Sequence, residues 1–273
     1  DAAKGGEFEG CTALLCMEGK CLMAGDILVY YRMNPDDSVI EIPEGVRFIQ
    51  DGFLEWDYNN SHKFDSVEQV ILPEGIISIG ADIFGKLQNL KELSLPHSLK
   101  AIRNSWGTIV RKNKIKQLTL HENLSWMDIK LKDSMEHLES LDLSAAALTS
   151  IPYDMASECK NLVSVKLPAG LKEIRWEAFA ACEQLKEVEI PDSVVEIGVQ
   201  AFMGCKELEK VTLPAGLESI GEDAFAYCPK LSRPKLGEKL AKQAQEEGEV
   251  FWGKIGFGDE NGCVVKDGVL LKY

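Results

Sequence analysis

The chain has 273 residues, with 44 Asp and Glu against 30 Lys and Arg, and a net charge of −14 at pH 7. A surface this acidic repels the phosphates of nucleic acids and of anionic lipids, so neither is expected as a partner. No apolar run approaches the ~18 residues that a membrane-spanning helix needs, so no membrane insertion is expected. The length suits one extended domain or two compact ones.

The N-terminal flank, residues 1–24, contains Cys11, Cys16 and Cys21. Their five-residue spacing differs from the C-x-x-C spacing of zinc sites. A disulfide among them is one interpretation, suited to an exported protein. The other is a packing role for Cys21, which aligns with Cys263 when CLMAGDILVYY (21–31) is compared with CVVKDGVLLKY (263–273). Each of these two segments is predicted to form a hairpin, and Asp267–Gly268 is a two-residue turn signal in the second.

Three consecutive segments, 162–182, 185–205 and 208–228, repeat one pattern with a period of 23 residues. A fixed period of this size predicts a solenoid, in which each unit buries its apolar face only by stacking on its neighbours. In the middle unit a short alternating strand ends at Pro191, which lacks an N–H and so ends the strand's hydrogen-bonding. Gly198 is expected to allow a tight bend. The remaining apolar positions are predicted to be core: Leu185, Val188, Ile190, Val194, Ile197, Ala201, Phe202 and Cys205.

The pattern extends upstream in degenerate copies, in which His121 and Ser144 stand at the position of Pro191. Eight strands are predicted. Stacking of the repeats should also align Phe84, Phe179, Phe202 and Phe225 in one buried column. The strands start near Asp37, Val67, Leu90, Ile115, Leu138, Leu162, Leu185 and Leu208.

The line from Pro191 to Leu208, Pro-x-Ser-Val-x-x-Ile-Gly-x-x-Ala-Phe-x-x-Cys-x-x-Leu, resembles the BspA-type leucine-rich repeat, and Pro214 to Leu231 matches it nearly as well. The resemblance covers residues 25–231. It implies an α/β repeat solenoid, with short strands on the concave side and turns or short helices on the convex side. It also implies a protein from the surface of anaerobic gut or oral bacteria. Some proteins of this family are implicated in adhesion to host proteins. The family supplies no catalytic motif.

Three parts of the chain follow: the flank 1–24, the solenoid 25–231 with insertions at 50–66 and 103–114, and a C-terminal part at 232–273. The C-terminal part contains a predicted helix at 235–247, whose Lys, Ala, Gln and Glu favour helix. The hairpin at its end is interpreted as a cap or as the start of a further block of repeats.

Two sets of residues have side chains that could bind a metal or react, and for both sets we prefer a structural interpretation. Cys159, Cys182, Cys205 and Cys228 recur every 23 residues. Such a ladder spreads ligands along a line, whereas a metal needs them to converge, so buried reduced thiols are expected. His97 and His121 fall near the ends of adjacent strands and could approach one another; we interpret them as surface polar residues. No metal site and no cofactor is predicted.

The preferred function is therefore a non-enzymatic protein-interaction module, with a possible adhesion role, of a bacterial surface or secreted protein. The alternative is a structural repeat spacer within a larger surface protein. Binding would use the polar positions of the concave strands, together with the aromatic insertion at 50–66, because aromatic side chains dominate interface energies. The candidate binding residues are Trp56, Tyr58, Gln117, Asp142, Lys166, Glu187, Glu189 and Lys210.

Overall fold

A computed structural model shows a solenoid of stacked repeats with many very short strands and one α-helix among the described residues. The described residues are 15–18, 20–32, 34, 36–54, 64–80, 87–102, 113–127, 131, 135–232, 234–247, 264–266 and 269–272.

The described part begins with an antiparallel meander. Strands β1 (Leu15–Glu18), β2 (Cys21–Ala24) and β3 (Ile27–Tyr31) pair in sequence order, and Gly25 turns the chain between the last two with a positive φ of 65°. The pairing shifts between Leu22 and Met23, where there is a β-bulge. β3 then pairs in parallel with the first repeat, so the hairpin predicted at 21–31 is confirmed and opens the solenoid.

Each repeat contributes one three-residue strand, which we call a long strand. β4 (Val39–Glu41), β6 (Gln69–Ile71) and β8 (Glu92–Ser94) form one parallel sheet. A second parallel sheet contains β10 (Gln117–Thr119), β12 (Ser140–Asp142), β14 (Ser164–Lys166), β16 (Glu187–Glu189) and β18 (Lys210–Thr212). All eight predicted strands are therefore present, and each begins two residues after its predicted start. The two sheets are not paired between β8 and β10.

A second ladder of two-residue strands, which we call short strands, lies further along each repeat. β5 (Phe48–Ile49), β7 (Ser78–Ile79), β9 (Ala101–Ile102) and β11 (Trp126–Met127) extend the sheet of β1 to β3. β13 (Ser150–Ile151), β15 (Glu173–Ile174), β17 (Glu196–Ile197) and β19 (Ser219–Ile220) form another parallel sheet.

The prediction of short helices in this part of the repeat is wrong for the described residues, which form turns and short strands but no α-helix there. The segment between Pro191 and Gly198 is too short to satisfy its backbone by internal i to i−4 bonds. It bonds to the preceding repeat instead: Gly198 N donates to Ile174 O at 2.7 Å, and Val195 N donates to Lys172 O at 2.9 Å.

The corners after β13, β15, β17 and β19 are held by left-handed residues that are mostly not glycine. Two columns with a spacing of 23 residues have φ between 53° and 76°. Between them, backbone N–H groups donate to the following repeat, for example Phe179 N to Ala201 O and Phe202 N to Ala224 O, both at 2.8 Å. The columns are Asp154, Glu177, Gln200 and Asp223, then Glu158, Ala181, Gly204 and Tyr227.

The core is one continuous column of apolar side chains along the solenoid. The predicted stack is confirmed for Phe179, Phe202 and Phe225, whose successive ring centroids are 5.4 Å apart. Phe84 lies outside the described residues. All the core positions predicted for the middle repeat, from Leu185 to Cys205, are at most 2% exposed.

The four thiols of the cysteine ladder are reduced and buried, as predicted. Cys182 Sγ donates to Ala156 O at 3.1 Å, and Cys205 Sγ donates to Phe179 O at 3.3 Å. Burial raises the pKa of the Cys182 thiol well above its usual range, so this thiol stays protonated and inert. Cys21 is also a reduced and buried thiol, which fits its packing role.

The spacing of the long strands shows where the chain is longer than its repeat. Successive strands begin 30 residues apart from β4 to β6 and 25 apart from β8 to β10, against 23 or 24 elsewhere. The extra residues fall within the predicted insertions 50–66 and 103–114. The ends of the first insertion belong to the core, since Phe53, Leu54 and Phe64 are at most 3% exposed.

The predicted C-terminal helix is present as α1 (Glu238–Glu247). Leu240 is buried, and Lys239 Nζ lies 3.4 Å from Glu218 of the last repeat. A hairpin of β20 (Val264–Lys266) and β21 (Val269–Lys272) follows, with a bulge between Val264 and Val265. This is the register and bulge position of β2–β3, which confirms the similarity predicted between the two hairpins.

Candidate protein-binding face

The long strands of β10 to β18 present one polar face, which we call the long-strand face. The middle residue of each strand is buried, and the two flanking residues point to the same outer side because side chains alternate along a strand. Parallel pairing aligns the flanking residues into two columns. The first column is Gln117, Ser140, Ser164, Glu187 and Lys210; the second is Thr119, Asp142, Lys166, Glu189 and Thr212.

Six of the eight candidate binding residues therefore lie together on this face: Gln117, Asp142, Lys166, Glu187, Glu189 and Lys210. The other two, Trp56 and Tyr58, lie outside the described residues. The face alternates in charge rather than concentrating one sign, and it continues over five adjacent strands. A surface of this kind can contact an extended stretch of another protein through many separate polar contacts.

One ion pair spans two strands of the face. Lys166 Nζ lies 2.8 Å from Asp142 Oδ2, and the Ser144 hydroxyl donates to Asp142 Oδ1 at 2.6 Å. The Lys166 ammonium, and then Ser144, lower the pKa of the Asp142 carboxyl below its usual range. Both partners keep solvent contact, so this pair orients the lysine more than it stabilises the fold.

Within the described part of the chain, the two glutamates of this face lack the kind of ion pair that Asp142 forms. Glu187 and Glu189 are both exposed, and neither forms an ion pair with another described residue, although Glu187 is aligned with Lys210 on the next strand. Their carboxylates are therefore available to a partner.

A groove of about 960 Å³ lies on the same side of the solenoid, over β6, β8 and β10. It covers the place where the two long-strand sheets are not paired. Its lining includes Lys91, Lys114 and Lys116. Lys91 pairs with Glu68 at 2.6 Å, and Lys116 pairs with Glu139 at 2.7 Å. Each of these four residues immediately precedes a long strand. Sequence reasoning missed these lysines because it considered only positions within the strands.

Among the described residues, one cluster of three side chains has the composition of a metal site. His97 follows β8, and His121 and Glu122 follow β10 in the next repeat. Their ligand atoms all lie within 4.8 Å of one another. The two imidazoles stack with their centroids 4.0 Å apart, as the predicted approach of His97 and His121 requires. Glu122 was not recognised from the sequence.

The profile of the BspA-type leucine-rich repeat region matches residues 58–182 and 133–246 in six copies. The chain belongs to the BspA-type leucine-rich repeat family. No curated protein sequence matches it. No helix among the described residues is both long and apolar enough to cross a membrane.

Several solved structures are similar. A leucine-rich repeat protein from Eubacterium ventriosum is 20% identical with a TM-score of 0.50, over 80% of this chain and 50% of that one. One from Bacteroides ovatus is 22% identical with a TM-score of 0.48, over 80% and 65%. A leucine-rich cell surface protein from Faecalibacterium prausnitzii is 15% identical with a TM-score of 0.34, over 86% and 98%. This chain thus spans half to two thirds of the first two proteins, and the Eubacterium ventriosum structure shows the shared fold.

Proposed function

We propose that this chain is a non-enzymatic protein-interaction module of a bacterial surface or secreted protein, and that it binds through the long-strand face. The observation that carries the proposal is the alignment of ten polar side chains in two columns over five strands. The groove over β6, β8 and β10 extends the same side of the solenoid by two strands, β6 and β8.

The charges on this face suggest the chemistry of the partner. Glu187 and Glu189 are exposed and unpaired among the described residues, and the whole chain has a net charge of −14. Complementarity therefore favours a neutral or basic protein, with an association that slows as salt screens the field. Adhesion to a host protein is the finer form of this proposal, and it follows from the family resemblance.

A binding screen with matched charge reversals tests the proposal. The purified chain is measured by interferometry against a panel of purified extracellular-matrix and plasma proteins, first at low and then at physiological salt. For any protein that binds, Glu187→Lys with Glu189→Lys should weaken binding about tenfold or more, because like charges then face each other. Glu196→Lys with Glu222→Lys makes the same change in net charge away from the long-strand face. If this control pair weakens binding as much as the first pair, the face has been wrongly assigned.

The aromatic insertion is tested in the same assay. Trp56 and Tyr58 are proposed as binding hot spots, because buried aromatic anchors contribute more than rim charges. The double variant Trp56→Ala, Tyr58→Ala should weaken binding while circular dichroism shows an unchanged fold. If the variant unfolds, the pair belongs to the core. If it folds and binds at full strength, the site lies on the long-strand face alone.

A structural repeat spacer is the second candidate, and one observation favours it. The β20–β21 hairpin repeats the register and bulge of β2–β3, the hairpin that opens the solenoid. A chain of such blocks would be a stalk. A spacer predicts no binding to any protein of the panel, and charge reversals on either side would then have equal and negligible effects.

A further inference from the structure

The cluster of His97, His121 and Glu122 bridges two repeats where their strands do not pair. β8 and β10 belong to different sheets. His97 lies three residues beyond the end of β8, and His121 lies two residues beyond the end of β10. His121 stands at the position that Pro96 holds one repeat earlier, and Glu122 stands at the position of His97. A ligand that joined these side chains would tie the two repeats together beside this interruption.

The distances suit two ligands of one metal ion. His97 Nδ1 lies 3.2 Å from both carboxylate oxygens of Glu122. In a tetrahedral zinc site with bonds near 2.0 Å, ligand atoms are roughly 3.3 Å apart. The third ligand atom, from His121, lies within 4.8 Å of the other two. In the structure the two imidazoles stack, with their centroids 4.0 Å apart and 26° between their planes, so both rings must turn out of the stack before both can direct a nitrogen at one ion. His97 and Glu122 are exposed and His121 is half-buried, so these side chains can rotate without disturbing the core.

The backbone around His97 is already held in place. Glu74 of the preceding repeat accepts hydrogen bonds from His97 N at 3.0 Å and from Ser98 N at 3.1 Å. Asn123 Nδ2 of the following repeat donates to His97 O at 2.8 Å. These contacts fix the turn that carries His97, so a metal would not have to order it.

We infer that His97, His121 and Glu122 form a surface site for a divalent transition metal, zinc above all, which fastens the repeat of β8 to the repeat of β10. Two imidazoles and one carboxylate are ligands that zinc accepts, and they leave a fourth position for water or for a partner's side chain. This replaces the sequence-based expectation that the two histidines are only surface polar residues. It does not depend on the proposed protein-binding function.

The site is tested by zinc titration of the untagged chain, measured by calorimetry in a buffer that does not bind metals. Cys11, Cys16 and Cys263 are replaced by Ser in every variant, so that these thiols cannot compete for the ion. One zinc per chain is expected. His97→Ala and His121→Ala should each weaken its binding about tenfold or more, since even outer-shell changes typically cost that much. His137→Ala removes a histidine outside the cluster and should leave zinc affinity within about twofold.

Thermal unfolding gives a second readout. Zinc should raise the melting temperature of the parent chain and of His137→Ala, because it binds the folded state alone. At the same zinc concentration it should raise that of His121→Ala, and of the more conservative His121→Gln, by clearly less. Co²⁺ in place of zinc should give the visible absorption of a four-coordinate nitrogen and oxygen site in the parent chain and in His137→Ala, and not in the His121 variants. If the parent chain takes up no zinc, or if His137→Ala loses zinc as fully as His121→Ala, the inference is wrong.

Discussion

The ring of Phe202 lies parallel to the ring of Phe225 of the next repeat, with 5.4 Å between centroids and 1° between planes. Phe179 continues the stack on the other side at 5.4 Å. Because three consecutive repeats place a Phe at the same point of the period, the ring of Phe202 fills the space between two neighbouring rings. Removing the middle ring therefore leaves a cavity that no single repeat can close.

Phe202→Ala should lower the free energy of unfolding by about 3–5 kcal/mol, through lost burial and cavity formation. Urea unfolding followed by circular dichroism measures this change. Val199→Ala, at a side chain that is 42% exposed in the same repeat, is the control and should stay within about 0.5 kcal/mol. If Phe202→Ala also stays within about 0.5 kcal/mol, the ring does not lie in the core and the register of the repeat is wrong.

Gly198 is required for close approach rather than for an unusual backbone conformation. The sequence suggested a tight bend, but φ at Gly198 is not positive. A Cβ there would lie 2.7 Å from Trp176 N and 2.8 Å from the Arg175 carbonyl carbon of the preceding repeat. Gly198→Ala should therefore force the two repeats apart and destabilise the chain by about 1–3 kcal/mol.

Gly216→Ala is the matched control for this prediction. A Cβ at Gly216 meets no atom within 4 Å, and its φ is not positive. The substitution should be neutral or slightly stabilising, because it reduces the freedom of the unfolded chain. Equal losses of unfolding free energy in the two variants would show that glycine is needed at both sites for its backbone freedom.

Two of the buried thiols should not react in the folded protein. In a chain with Cys11, Cys16 and Cys263 replaced by Ser, the five remaining cysteines are all reduced and buried. Burial raises the pKa of Cys182, and the neighbouring Cys228 thiol together with burial raises that of Cys205, so neither forms the reactive thiolate at neutral pH. Titration with a disulfide reagent should detect Cys182 and Cys205 only after unfolding; Cys228 is not part of this prediction, because its hydrogen bond with Cys205 lowers its pKa. Rapid reaction of Cys182 in the native state would contradict the packing described here.

These raised thiol pKa values also predict how stability depends on alkaline pH. The unfolded chain ionises its thiols near the ordinary value of 9.0, whereas the folded chain keeps Cys182 protonated to higher pH. The contribution of Cys182 to stability is therefore complete below the unfolded pKa of about 9.0. It is lost as pH rises from that value through the higher pKa of the folded state. Cys182→Ala should reduce the alkaline loss of unfolding free energy, measured by urea unfolding from neutral to alkaline pH. An unchanged pH profile would indicate that Cys182 is already accessible to water.

The Asp142 carboxyl should titrate at lower pH than an ordinary aspartate. Its folded pKa lies below 3.8, with Lys166 as the largest cause. The ionised form therefore stabilises the fold above that pH, and the effect is lost as pH falls through the folded value. Lys166→Met should raise the midpoint of the Asp142 titration, followed by NMR of the carboxyl carbon. Lys210→Met, three strands away from Asp142 in the sheet, should leave that midpoint unchanged. If Lys166→Met has no effect, the ion pair does not form in solution.

The sequence predicted those parts of the fold in which a residue type with one distinct physical role recurs in successive repeats. Pro191 marked the end of a strand, and Phe202 and Cys205 marked the core, because each has one dominant physical role. The short strand Glu196–Ile197 was not predicted, since two residues are too few to show alternation. The left-handed corner at Gln200 was not predicted either, because its conformation is imposed by hydrogen bonds to the next repeat rather than by glycine.

The candidate site was predicted to a similar extent. Strand alternation placed Lys166, Glu187 and Glu189 on the outer side, and the approach of His97 to His121 followed from the period. Glu122 escaped notice because its role depends on contact between repeats of different length. Trp56 and Tyr58 remain predictions, since they lie outside the described residues.

The most direct test of the account is carboxyl footprinting of the chain bound to a protein that it recognises. Exposed carboxylates are labelled with a carbodiimide and an amine, and labelling is quantified for each residue by mass spectrometry. If the long-strand face is the binding surface, labelling of Glu187 and Glu189 falls on complex formation while that of Glu196 and Glu222 does not change. Protection of Glu196 and Glu222, with Glu187 and Glu189 still fully labelled, would contradict it.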